Sequence, residues 1–189
     1  MITVIGLCGS LRHASYNALL LRSLQKMMPA DVDMCIASIE GIPLYDYDEE
    51  SGSGVPEPVA RLKDALAAAD GLMLASPEYN RSLAGVAKNA IDWLSRPDAD
   101  SRRVFGAKAV GLAGASPGGF GTVSAQNAWL PVFQKLGSEV WPGGPLLVSA
   151  AHKAFDTDGA LTDTIALQNA RTFIDGFSDF LRARKARAA

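Results

Sequence analysis

Short, unbroken apolar runs alternate along this chain with stretches of helical period. The runs cover residues 2–7, 34–37, 71–75 and 109–113, then 139–141 and 146–148. Between and after them the apolar positions recur every three or four residues. Leu20, Leu24, Met27 and Met28 form the first such stripe, and Val59, Leu62, Leu66 and Ala69 the second. Val86, Ala90, Trp93 and Leu94 form a third, and Ala125, Trp129, Val132, Phe133 and Leu136 a fourth. Ala170, Phe173, Ile174, Phe177 and Leu181 close the chain as a long amphipathic helix. A strand with no polar residue needs cover on both faces. The pattern therefore predicts an α/β fold: a doubly wound parallel sheet of five strands, in a single domain over residues 1–189.

Prolines and glycines refine this reading. Pro97 stops the third helix, and Pro131 inside the fourth predicts a kink or an early break. The run Pro142, Gly143, Gly144, Pro145 predicts an irregular sheet edge. Residues 41–58 are polar and rich in Gly, Ser and Pro, without a clear period. They read as a long loop whose PLYDY portion packs against the body.

Composition narrows the function classes. Hydrophobic residues make up 48% and charged residues 20%, the profile of a soluble globular protein. The net charge of −2 provides no field for nucleic acid or a membrane surface, so neither is expected as a partner. The cationic tail Arg182, Arg184, Lys185, Arg187 reads as a helix end. Cys8 and Cys35 lie in apolar runs, outside any CxxC pattern. They read as buried strand residues, and no metal site is expected. No charged-then-apolar leader precedes the first strand, and no apolar run approaches about 20 residues, so a cytoplasmic location is expected.

Sheets of this kind bind ligands at the carboxyl ends of their strands, where the strand order reverses. That singles out the loops beginning at Gly9, Ser76 and Gly114. The first reads GSLRHASYN. Ser10, Ser15 and Asn17 are hydrogen-bonding residues at a helix start, and Arg12 is a charged fork matched to phosphate oxygens. The same residues also suit an ordinary loop in which Ser15 caps the helix and Arg12 is solvated. Neither GxxxxGK nor GxGxxG is present, which argues against a triphosphate or dinucleotide cradle. His13 reads as loop surface; His152 is the one other histidine. The second loop, SPEYNRSLAGVAKNAIDW, has a stiff Pro77 and a flat Tyr79. The backbone of residues 77–80 can bond the polar edge of a heteroaromatic ring. Glu78 reads as a solvated charge, Lys88 and Asp92 as a helix surface pair, and Asn89 and Trp93 as packing residues. The third loop, GASPGGFGTVSAQ, is glycine-rich and lets backbone approach a flat ligand. The residues alone lead to a phosphorylated planar cofactor at a switch point.

Together the three loops resemble the NAD(P)H-dependent FMN reductase family, which includes flavin, chromate, quinone and azo reductases. PLYDYD at 43–48 and FDTDGALTD at 155–163 fit it too, so the resemblance spans nearly the whole chain. It implies a flavodoxin-like fold with strand order 2-1-3-4-5 and FMN as cofactor. By position it gives Ser10, Arg12, Ser15 and Asn17 the phosphate. It sets Pro77, Glu78, Tyr79 and Asn80 along the isoalloxazine, with Ser116 and Gly118 approaching from the third loop. It implies hydride transfer from NADPH or NADH to flavin N5. Electrons then pass to a small-molecule acceptor: flavin, quinone, azo compound or metal oxyanion. No catalytic side chain is required. The family's usual homodimer or homotetramer, with sites near subunit interfaces, implies a surface that takes in Trp93 and the loop around Tyr45. The family often has arginine where Ser124 stands, and again near Trp129; this departure bears on oligomer contacts and substrate preference and not on FMN binding. Two alternatives remain at this stage: a flavodoxin-like electron carrier and a non-catalytic nucleotide-binding module. The open first loop, without a tight phosphate turn, speaks against the carrier.

Overall fold

The computed structural model describes residues 1–188. Strand β1 (Ile2–Cys8) leads into α1 (Tyr16–Met27), then β2 (Val32–Ala37), α2 (Tyr47–Gly52) and α3 (Glu57–Ala68). Next come β3 (Gly71–Ala75), the two-residue strands β4 (Glu78–Tyr79) and β5 (Ser82–Leu83), α4 (Gly85–Leu94) and α5 (Asp98–Phe105). The chain continues through β6 (Ala109–Ala115), α6 (Val123–Lys135), β7 (Glu139–Val140), β8 (Leu146–Val148), α7 (Ala151–Ala154) and α8 (Thr164–Ala188). The main sheet is parallel, in the order β2-β1-β3-β6 with both β7 and β8 on the outer side of β6. This is the expected 2-1-3-4-5 order, with its fifth position divided. β7 pairs with Ala109 and Val110 at the start of β6, and β8 pairs with residues 113–115 at its end. The Pro142–Pro145 run lies between them, the irregular edge that the prolines and glycines predict.

The unbroken apolar strands serve two cores at once, because alternate residues face opposite sides of a sheet. Ile2, Val4, Met73 and Ala113 pack with Leu20, Leu24, Phe173 and Phe177 of α1 and α8. Ile5, Leu7, Leu72, Leu74, Val110 and Leu112 pack with Leu62, Leu66, Ile91, Trp93, Trp129 and Phe133 of α3, α4 and α6. Buried Lys108 sits at the base of β6, and its Nζ donates to the carbonyls of Leu66 (2.7 Å) and Ala69 at the end of α3. Burial pushes its pKa down. The cationic tail is tied down by acidic partners. Arg182 binds Asp31 at 2.7 Å, Lys185 binds Asp70 at 3.0 Å, and Arg184 pairs with Glu139.

Several expectations need correction. Residues 41–58 are not all loop: Asp46 caps α2 by accepting the Asp48 N–H at 2.8 Å. α2 buries no side chain, so it left no apolar period to read. A further helix, α5, follows Pro97; its only buried residues, Val104 and Phe105, come at its end. Pro131 does not break α6, which runs through it for 13 residues. Cys8 is only half-buried and Cys35 is exposed at the edge strand. Among the described residues, no helix is long and apolar enough to cross a membrane.

Candidate functional site

The three loops singled out in the sequence meet at the carboxyl end of the sheet, where β1 and β3 diverge into connections on opposite faces. They line one cavity of about 410 Å³, walled by Ser10, Arg12, Ser15 and Asn17, by Pro77, Glu78 and Tyr79, and by Ser116. Asn80 and Gly118 do not line it. Tyr16, Ala115 and Pro117 do, and sequence reasoning missed them. Tyr16 and Ala115 stand inside the first and third loops quoted from the sequence, but neither was given a role there.

The first loop is shaped by short-range bonds. Its Gly9 packs tightly: a Cβ there would lie 3.1 Å from that of Ala87 and 3.2 Å from Pro77 Cδ. The Cys8 thiol donates to the Ser10 carbonyl at 3.5 Å, and burial raises its pKa, which keeps it a protonated donor. Ser15 caps α1, its Oγ accepting the Ala18 N–H at 3.3 Å. Among the described residues, the N–H groups of Tyr16 and Asn17 have no protein acceptor. They are the free donors expected at a helix start, together with the positive end of its dipole. Arg12 is exposed and makes no ion pair among the described residues. Its guanidinium lies 5.4 Å from the centre of the Tyr16 ring.

Asn17 has a different place from the one its sequence neighbours imply. It is 3% exposed; its Nδ2 donates to the Ala115 carbonyl at 3.0 Å, and its Oδ1 accepts the Ala115 N–H at 2.9 Å. This reciprocal pair fastens the first loop to the end of β6.

Glu78 is not a solvated charge. Its Oε2 accepts the N–H groups of Ser124 (2.8 Å) and Ala125 (3.1 Å) in the first turn of α6. No side chain from α6's own cap does so. The carboxylate thus sits on the positive end of that helix and mounts the second loop on it. β4 and β5 form a hairpin whose turn residues, Asn80 and Arg81, have φ of 51° and 60°. That is the conformation a two-residue hairpin turn demands, and here no glycine provides it. Glu78→Ala is expected to cost about 1–2 kcal/mol, in the range of a lost N-cap, lowering the melting temperature by about 2–8 °C. Glu78→Gln, which keeps an acceptor, should recover part of the loss in the same thermal scan.

Trp93 is fully buried, so it cannot form the interface surface the resemblance implied. Its Nε1 donates to the Pro43 carbonyl at 3.0 Å, Asn89 bonds both Pro43 and the Tyr45 N–H, and Tyr45 meets the indole edge-on at 5.0 Å. These residues hold the PLYDYD loop on α4. The Tyr45 hydroxyl in turn donates to Glu50 at 2.7 Å, and with Arg96 it keeps that carboxyl below its ordinary pKa. Lys88 and Asp92 form the expected surface pair at 2.6 Å. His13 and His152 are both exposed.

The site therefore offers one free guanidinium and a helix start on one side, and an aromatic and backbone-lined wall on the other. Ala115, Ser116 and Pro117 of the third loop complete the lining. The donors suit an anionic group and the wall a flat one.

Known proteins of similar sequence and shape show the family of this chain. The family model described as NADPH-dependent FMN reductase matches residues 2–153. An NAD(P)H-dependent FMN reductase of Pseudomonas aeruginosa is 41% identical over 162 residues, 86% of this chain and 85% of that protein. A 2-hydroxy-1,4-benzoquinone reductase of a Burkholderia species is 34% identical over 177 residues, 94% of each. The solved structure of FerB, a flavoenzyme NAD(P)H:(acceptor) oxidoreductase of Paracoccus denitrificans, superposes with a TM-score of 0.85 at 32% identity, covering 97% of this chain and 98% of that one. With its flavodoxin-like sheet and its three converging loops, this chain belongs to the NADPH-dependent FMN reductase family, enzymes that move electrons from NAD(P)H through a flavin to a small acceptor.

Proposed function

We propose that FMN lies in the cavity at the carboxyl end of the sheet, phosphate on the first loop and ring along the second and third. One observation carries this reading: the N–H groups of Tyr16 and Asn17 and the charge of Arg12, all without partners among the described residues, line the same 410 Å³ cavity. Ser10 and the proton of the Ser15 hydroxyl add donors there. Asn17 takes part through its backbone N–H, because its side chain is committed to Ala115. Pro77, Glu78, Tyr79 and Asn80 form the ring-side loop, with Glu78 anchoring it and the backbone presenting hydrogen bonds. Ser116 and Gly118 bring the third loop in from the other side, where glycine allows close approach.

When bound, FMN supplies the hydride and electron transfer, and the protein supplies position and electrostatics. Backbone N–H groups within residues 77–80 of the second loop would hold the polar edge of the ring and would stabilise negative charge on it. Tyr79 and Phe120, 52% and 78% exposed, offer flat apolar faces to a planar nicotinamide or acceptor. A quinone is the acceptor class this favours, supported by the similarity to the benzoquinone reductase. We further assign the protein to the cytoplasm and to a homodimer or homotetramer. Exposed Leu44, Tyr79, Val86 and Phe120 at the site's end of the molecule support self-association.

The test is a fluorescence titration of the FMN-free chain with FMN. Arg12→Ala is expected to weaken binding at least tenfold, since charge-assisted hydrogen bonds contribute about 1.5–3 kcal/mol. An unchanged dissociation constant removes Arg12 from the site and the phosphate from the first loop.

A further inference from the structure

Arg12 grips the phosphate in the reading above, yet among the described residues no polar group holds its side chain in place. An exposed arginine samples many rotamers, and each must be given up to bind an anion. What Arg12 does touch is aromatic. Its guanidinium carbon sits 5.4 Å from the Tyr16 ring centroid, within the reach of a cation–π contact. Tyr16 is itself stacked on Phe155, with ring centroids 6.1 Å apart and planes at 20°. Phe155 is buried and fixed by its bridge to Leu161 across the turn that Asp156 organises. Tyr16 is held from the other side as well, since the next residue, Asn17, is clasped to Ala115. The ring is thus secured at its backbone and by its stacking on Phe155, and the Arg12 guanidinium lies against it.

We propose that Tyr16, backed by Phe155, is a positioning residue that holds the Arg12 guanidinium at the mouth of the phosphate site. This rests on the reading that the first loop binds the phosphate. The FDTDGALTD segment then braces the cofactor site from more than a hundred residues away without touching it. The ring is what matters. Among the described residues the Tyr16 hydroxyl makes no hydrogen bond to the protein, so a phenyl group does as well.

The experiment compares FMN with riboflavin, which has the same ring and no phosphate, in titrations of the FMN-free full chain. Tyr16→Leu should weaken FMN binding about three- to tenfold and leave riboflavin binding unchanged. Tyr16→Phe should match the parent protein. Phe155→Leu should shift FMN affinity in the same direction by a smaller factor, giving a second route to the answer if Tyr16→Leu folds poorly. In an Arg12→Ala background, Tyr16→Leu should add nothing, because its effect passes through the guanidinium. Equal losses for FMN and riboflavin would make Tyr16 a packing residue and overturn the proposal, as would additive effects of the two substitutions. If Arg12→Ala alone leaves the FMN-to-riboflavin preference intact, the phosphate reading itself fails and this proposal with it.

Discussion

Asn17→Leu is expected to lower stability by about 2–6 kcal/mol, because it strips partners from two buried backbone groups at about 1–3 kcal/mol each. Leucine has nearly the shape of asparagine, so the loss isolates hydrogen bonding from cavity formation. The groups left behind are the N–H and C=O of Ala115, which the amide now satisfies at 2.9 and 3.0 Å. The same change should release FMN during gel filtration, because this clasp holds the first loop to the third. Asn17→Asp makes the useful contrast. It keeps an acceptor for the Ala115 N–H but sets a second oxygen against the Ala115 carbonyl, so it should retain part of the stability and still bind FMN poorly. Thermal melts that place Asn17→Leu level with the parent protein would mean the clasp bears no weight.

Gly114→Ala should be nearly as damaging, by crowding rather than by desolvation. A Cβ at residue 114 would fall 1.8 Å from Thr122 Oγ1, and 2.8 Å from both Thr122 Cβ and the Ser76 carbonyl oxygen. Thr122 is fully buried and its hydroxyl accepts the Gln126 Nε2 at 3.0 Å, so it has no free space to turn into. The Ser76 oxygen belongs to the backbone at the end of β3 and cannot yield without moving the second loop. We expect a cost of about 3 kcal/mol or more, at the upper end for overpacking, seen as a fall of about 6–12 °C in melting temperature. Adding Thr122→Ala should relieve the hydroxyl clash and recover part of it. Gly119→Ala, whose Cβ meets nothing within 4 Å, should melt with the parent. A Gly114→Ala protein that also melts there would contradict the close fit of β3, β6 and α6.

These two residues show where the sequence can be read and where it cannot. The central strands β3 and β6 were legible because each serves two cores and contains no polar residue to confuse the pattern. Helices α1, α3, α4 and α6 were legible from their stripes. α2 and α5 were not, since one buries nothing and the other buries residues only at its last turn. The site's residue types were visible as hydroxyls, an arginine and glycines at strand ends. Their partners were not, because they are distant in sequence: Asn17 reaches 98 residues ahead and Glu78 reaches 46. Both polar side chains turn out to hold loops together. Trp93 shows the same limit in reverse: an indole that suggests a surface by resemblance is buried by the PLYDYD loop it supports.

The divided fifth position of the sheet has a consequence for self-association. β7 and β8 are two and three residues long with Pro142 and Pro145 between them, so that side presents no continuous row of amides for a foreign strand to extend. Among the described residues, only β2, six residues long, offers such a row on the main sheet. A molecule with one competent edge can zip to one other and must then stop, whereas a fibre needs two. Runaway polymerisation through the native sheet is closed to this chain by its own geometry.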